Sequence, residues 1–145
     1  MRVKDWMTAS PLTISPDTGV FDARRLMLER RIRHLPVTSD DGLVGILTDR
    51  DVRLTLPSPA NTLSVWEVNY LLARLTVAEV MTRAVITVGV DRDIAAAAHL
   101  MLEHKIGALP VVEDGRLVGI LTETDLLRAL LHTQESPGHP RVRAS

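Results

Sequence analysis

Two short phrases hold the residues best suited to chemistry. GILTDRD runs from Gly45 to Asp51, and GILTETD from Gly119 to Asp125. Each closes an apolar run with a Thr and places an Asp three positions later: Thr48 with Asp51, and Thr122 with Asp125. That spacing permits two jobs. Thr at a helix N-cap with an acid three residues on makes a capping box, whose loss costs about 1 kcal/mol. The same helix start offers free N–H groups and partial positive charge to a phosphate, while a carboxylate can accept from ribose hydroxyls. A carboxylate repels phosphate, so the sugar is its natural partner. The two jobs are compatible.

Other chemistries find no support. The chain has no cysteine, which excludes disulfides, thiolate metal sites and cysteine nucleophiles. Its five histidines include no H-x-x-x-H; His99 and His104 are five apart and face different ways on a helix. Phosphate-loop, dinucleotide and nucleophile-elbow motifs are absent, so no catalytic residue and no dedicated metal site is expected. A net charge of −1 gives no general drive toward nucleic acid or an anionic membrane. No apolar run reaches the roughly 20 residues that span a bilayer, and Met1–Trp6 lacks a signal-peptide core. A soluble, cytoplasmic protein is the expectation.

The elements that must position these residues come in two copies. Shifting the sequence by 74 residues aligns Val3–Leu56 with Val77–Leu130 without a gap, with 23 of 54 pairs identical. Each copy opens with an extended segment, Met7–Pro16 or Met81–Val90. A helix is predicted over Asp17–Ile32 and again over Asp91–Ile106, with Asp17 and Asp91 at the N-cap or first turn. LPV then starts a strand with Pro36 or Pro110 at its entry, and DDG or EDG turns it into LVGIL. Thr48 and Thr122 open the second helix, Asp49–Leu56 and Glu123–His132. The unit is β-α-β-β-α, an α/β (α+β) fold, with repeats at 1–56 and 77–132.

Between the repeats lies a linker, 57–76. Pro57 and Pro59 break the preceding helix, and Ser64 with Glu67 caps a new one. That helix is apolar over most of its circumference, which predicts burial on more than one side. Two placements follow: packing across the pair's own core, or a homodimer interface centred on Trp66 and Tyr70. The tail, 133–145, has no apolar periodicity and is expected to be disordered.

Two copies of M-T, LPV and GILT-x-x-D in one register resemble a tandem pair of CBS domains, a Bateman module. The resemblance spans about Val3–Leu131. The inter-repeat helix is also similar to that of stand-alone bacterial CBS-pair proteins of the acetoin-utilisation type. Some of those continue into a further output domain, which is not expected here. The resemblance implies two pseudo-two-fold related repeats whose clefts bind AMP, ADP, ATP or S-adenosylmethionine. It implies a regulatory module acting on an unidentified effector protein, and commonly a homodimer. The alternative is a structural dimerisation scaffold with empty clefts. Magnesium would arrive only with a nucleotide polyphosphate.

The resemblance assigns ligand contact to Thr48 and Asp51 in one cleft and to Thr122 and Asp125 in the other. It sets adenine against Leu12, Thr13, Ile14, His34 and Pro36 in copy one. In copy two the equivalents are Ile86, Thr87, Val88, Ala108 and Pro110. Aromatics form only 3% of the chain, so the base would stack on aliphatic groups; each apolar position also suits ordinary core packing. Before LPV, Arg33-His34 in copy one can meet phosphate charge, whereas Gly107-Ala108 in copy two cannot. The copy-one cleft is therefore expected to prefer the more highly charged ligand. Arg24, Arg25, Arg30, Arg31 and Arg33 form a further basic cluster, read first as a solvated face and second as an anion or nucleic-acid patch, the latter without a recognition motif or interleaved aromatics.

Overall fold

A computed structural model describes residues 1–40, 42–55 and 64–135. The proposed helix break at Pro57 and Pro59 and most of the expected tail lie outside the described residues. The described chain forms α1 (Val3–Trp6), β1 (Thr8–Ala9), α2 (Val20–Arg30), β2 (His34–Ser39), β3 (Gly42–Thr48) and α3 (Asp49–Thr55). There follow α4 (Val65–Ala73), α5 (Val77–Val80), β4 (Val88–Gly89), α6 (Ile94–His104), β5 (Ala108–Glu113), β6 (Arg116–Thr122) and α7 (Glu123–Gln134).

These elements divide into two compact units, and the division does not follow the repeats. One unit is Leu12–Val85; the other joins Met1–Pro11 to the chain from Ile86 onward. The opening turn of each repeat is thus built into the unit of the other. Backbone hydrogen bonds fix each turn at matched positions. Val77 N–H donates to the Thr18 carbonyl (2.7 Å) and Ala78 N–H to that of Pro16 (2.9 Å). In the other unit Val3 N–H donates to Arg92 (2.8 Å) and Lys4 N–H to Val90 (3.0 Å). Val77 and Val3, both fully buried, complete the respective cores.

Each unit is organised around a hairpin. β2 pairs with β3 from His34↔Thr48 to Ser39↔Gly42, and β5 with β6 from Ala108↔Thr122 to Glu113↔Arg116. Asp114 and Gly115 both have positive φ, as a two-residue type I′ turn requires. β4 lies parallel to β5 and β1 antiparallel to β6, giving a four-stranded sheet. In the Leu12–Val85 unit the same outer pairings shrink to single bridges, Ile14↔Val37 and Thr82↔Ile46. The long helices bury one stripe each, Val20, Ala23 and Met27 on α2 and Ala97 and Met101 on α6. Leu35, Leu47, Leu109 and Leu121 are fully buried beneath them. Burial of each such side chain contributes roughly 1.5–3 kcal/mol.

Three sequence expectations need correction. The helix starts fall later than Asp17 and Asp91: Gly19 is the N-cap of α2, and Asp93 caps α6 by accepting from Ala95 N–H at 2.9 Å. Asp91 instead meets Lys4 (3.2 Å) and Arg2 (3.5 Å) of the inserted opening turn. The prolines stand inside strands, not at their entry. Pro36 faces Ile46, Pro110 faces Ile120, and both are fully buried. Finally, α4 is not buried on more than one side, because none of its residues is buried. The core beside it is already closed by Val77 and Met81, and Leu75, just beyond the helix, makes the packing contact.

Candidate functional site

Both Thr–Asp pairs form the capping boxes that their spacing predicts. Thr48 N–H donates to Asp51 Oδ2 (3.0 Å), and Asp51 N–H donates back to Thr48 Oγ1 (3.1 Å). Thr122 N–H donates to Asp125 Oδ2 (2.9 Å), and Asp125 N–H to Thr122 Oγ1 (3.4 Å). The helix ends are thereby satisfied locally.

The two carboxylates are then held differently. Asp125 is 4% exposed and accepts from three donors. Besides the Thr122 amide, the Thr122 hydroxyl donates to Oδ2 at 3.1 Å and Arg128 Nη1 donates to Oδ1 at 3.2 Å. Asp51 is half-buried, and the position equivalent to Arg128 is Leu54, which points to solvent. Its further neighbour is the Thr82 hydroxyl, 3.4 Å from both carboxylate oxygens. Asp51 therefore keeps more accepting capacity than Asp125 does.

Thr82 reaches Asp51 because a glycine lets it. Thr82 N–H donates to the Ile46 carbonyl (2.9 Å) and Ile46 N–H to that of Thr82 (3.0 Å). This bridge brings Met81 over Gly45 so closely that a Cβ there would stand 2.5 Å from Met81 Sδ. Gly119 meets Met7 at the same 2.5 Å. The M-T and G-I-L-T phrases of the sequence are thus two halves of one contact, each M-T packing on the other repeat's G-I-L-T.

The remaining predicted residues take these places. Ile14 N–H donates to the Pro36 carbonyl (3.1 Å) and Thr38 N–H to that of Ile14 (3.0 Å), which sets Ile14 beside Pro36 at the core edge. Leu12 and Thr13 are exposed, and His34 is half-buried opposite Thr48. In the other unit Val88, Ala108 and Pro110 are buried, while Ile86 and Thr87 are half-buried. Ala108 stands opposite Thr122. Arg33 is exposed and lines a groove between α2 and α3, with its carbonyl accepting from Asp49 N–H at 3.0 Å. Sequence reasoning missed Thr82 and Arg128. The first had a signal, the repeated M-T, and the second stands one turn beyond Asp125. Among the described residues, no group of three or more His, Asp or Glu side chains could hold a metal. No helix there is long and apolar enough to cross a membrane.

Comparison with known proteins bears on the family and the fold. The family model described as the CBS domain matches residues 3–58 and again 77–132. An acetoin utilization protein, AcuB, from Vibrio cholerae has a TM-score of 0.78 and 31% identity, over 97% of this chain and 98% of that one. CBSX2 in complex with AMP has a TM-score of 0.77 and 33% identity, over 92% and 98% of the chains. The CBS domain pair of protein MJ0100, in complex with 5′-methylthioadenosine and S-adenosyl-L-methionine, has a TM-score of 0.75 and 29% identity, again over 92% and 98%. Longer relatives match in part. The chain spans 44% of a 33.4 kDa protein from a ribosomal RNA operon of Thermofilum pendens and 28% of an inosine-5′-monophosphate dehydrogenase of Korarchaeum cryptofilum, each 36% identical.

Proposed function

The chain belongs to the CBS-domain family and carries the domain twice, and from that premise we propose a regulatory module that binds an adenosine-containing ligand. Ligand contact falls to Thr48 and Asp51 in one repeat and to Thr122 and Asp125 in the other. The base rests near Ile14, His34 and Pro36, or near Val88, Ala108 and Pro110. AMP, ADP, ATP and S-adenosylmethionine are the ligand class, with magnesium entering only alongside a polyphosphate. The module is not a catalyst; occupancy alters how it engages an effector protein.

One observation carries this reading furthest: Asp51 remains half-buried with unspent acceptor capacity beside a helix start. A ribose diol needs such an acceptor. The Asp51 site is accordingly the stronger of the two, because Asp125 must first give up Arg128. That AMP is bound by one similar CBS protein, and methylthioadenosine and S-adenosylmethionine by another, supports the ligand class.

A second reading has its own support. α4 exposes Trp66, Tyr70 and Leu71, which favours self-association, and a dimerisation scaffold would need no ligand. Thermal unfolding with AMP, ADP, ATP, NAD and S-adenosylmethionine separates the two. A ligand at about 100 times its Kd stabilises a protein by about 2.7 kcal/mol. A shift with at least one adenosyl compound, absent in Asp51→Asn, is the expected result; no shift with any of them leaves the scaffold.

A further inference from the structure

The outer face of α4 carries a cavity and a cation that do not meet within one chain. Val68 and Leu72 are half-buried and turn inward, and Leu75, just beyond, packs on the core. The opposite side of the helix is exposed. It holds Trp66, Tyr70 and Arg74 on successive turns, with Glu67 beside them.

Trp66, Glu67, Tyr70 and Leu71 line an open cavity of about 380 Å³. Its walls are two aromatic rings and a leucine, and its one charge is the Glu67 carboxylate. A guanidinium suits such a setting. The rings attract it through their faces, and the carboxylate accepts its N–H groups in charge-assisted hydrogen bonds. An anion would meet Glu67 as a like charge.

Arg74 is the matching group. Its guanidinium stands 4.2 Å over the Tyr70 ring, which holds it along the exposed face. Among the described residues, neither Glu67 nor Arg74 is in an ion pair. Seven residues apart, they share nearly one side of the helix but are separated by about 10 Å along it.

Two-fold symmetry removes that mismatch. Let a second copy of α4 lie antiparallel on the first, with the axis passing between positions 70 and 71. Residues 67 and 74 are equally far from that axis, so residue 67 of each copy faces residue 74 of the other. Both cavities then receive a cation, and both acids are paired.

We propose that α4 pairs antiparallel with α4 of a second copy, each Arg74 entering the cavity lined by Trp66, Glu67, Tyr70 and Leu71 of the other. The pairing rests on the self-association reading above and adds its orientation, its register and the two charged residues that select them. The chain itself carries the required cation at the required place, which favours a second copy over an unrelated partner.

Sedimentation of the full chain across a range of concentrations tests it, and wild type is expected to dimerise. Glu67→Arg alone and Arg74→Glu alone each put two like-charge pairs into the interface. Each should weaken dimerisation by at least about tenfold, or about 1.4 kcal/mol. Parallel helices would show no such loss, because they already set 67 against 67 and 74 against 74. An equimolar mixture of the two variants joins Arg to Glu at both contacts and should dimerise more tightly than either variant alone. Should either variant fold poorly, Glu67→Gln and Arg74→Gln replace them, and each should weaken dimerisation by about threefold, without rescue on mixing. A dimer whose affinity ignores these substitutions would overturn the pairing and leave self-association through another surface standing. Charge-reversal variants that weaken the dimer but fail to rescue each other would overturn it likewise. A wild-type chain that stays monomeric would overturn the pairing and the self-association reading together.

Discussion

Arg128 Nη1 lies 3.2 Å from Asp125 Oδ1, engaging the one oxygen that the capping box leaves open. The equivalent residue in the first repeat, Leu54, cannot do this to Asp51. On the proposed reading, a ribose at Asp125 would have to displace a charge-assisted hydrogen bond, and one at Asp51 only a long contact from Thr82. Arg128→Leu is therefore expected to strengthen the weaker of two AMP-binding events by roughly tenfold, about 1.4 kcal/mol. The fold should lose no more than about 1 kcal/mol, since the Arg128 side chain is largely exposed. Calorimetry on the variant checks this; an unchanged weaker event would show that Arg128 does not compete with the sugar.

Capping and ligand binding can be separated at Thr48 and Asp51. Thr48→Ala removes the acceptor for Asp51 N–H and should cost about 1 kcal/mol in urea unfolding, whereas Thr48→Ser should cost less. Asp51→Asn keeps a side-chain oxygen for Thr48 N–H and so retains most of the stability. It should nevertheless lose most of the stabilisation given by AMP. A variant equally stabilised by AMP would reduce Asp51 to a cap.

The M-T contact gives a sharper steric prediction. A Cβ at residue 45 would lie 2.5 Å from Met81 Sδ and 3.0 Å from the Thr82 carbonyl. The sulfur can swing aside, but the bridged backbone cannot. Gly45→Ala should destabilise the chain by about 1–3 kcal/mol, and Gly119→Ala, against Met7 and Thr8, by a similar amount. Wild-type melting of either alanine variant would mean that the M-T segment yields without cost.

Repetition made much of this legible in the sequence. The 74-residue shift located both hairpins and both capping boxes, because local spacing and turn residues dictate them. It did not reveal that each repeat's first turn is built into the other unit. Val3 and Val77 look alike in sequence whichever core they complete, so long-range placement leaves no local mark. Nor did it distinguish Asp51 from Asp125, since the difference rests on their burial and on neighbours such as Thr82 and Arg128 that only the fold brings to them. For α4, an apolar circumference predicted burial; the single chain leaves that surface open, because the neighbouring core closes without it.

That open surface yields the last prediction. Trp66 is 84% exposed and Leu71 53%, and the Arg74 guanidinium stacks 4.2 Å over the Tyr70 ring. A rigid aromatic pair one turn apart is the kind of anchor that dominates protein interfaces. If α4 mediates a homodimer, Trp66→Ala should weaken self-association by about 2 kcal/mol or more, which is roughly thirtyfold in Kd. It should leave the stability of the dilute monomer almost unchanged, because the ring buries little within its own chain. Tyr70→Ala should act similarly while also freeing Arg74. Sedimentation across a range of concentrations, with and without AMP, measures both variants. Wild-type chain that stays monomeric throughout, or a Trp66→Ala variant that dimerises as tightly as wild type, would remove α4 from the interface.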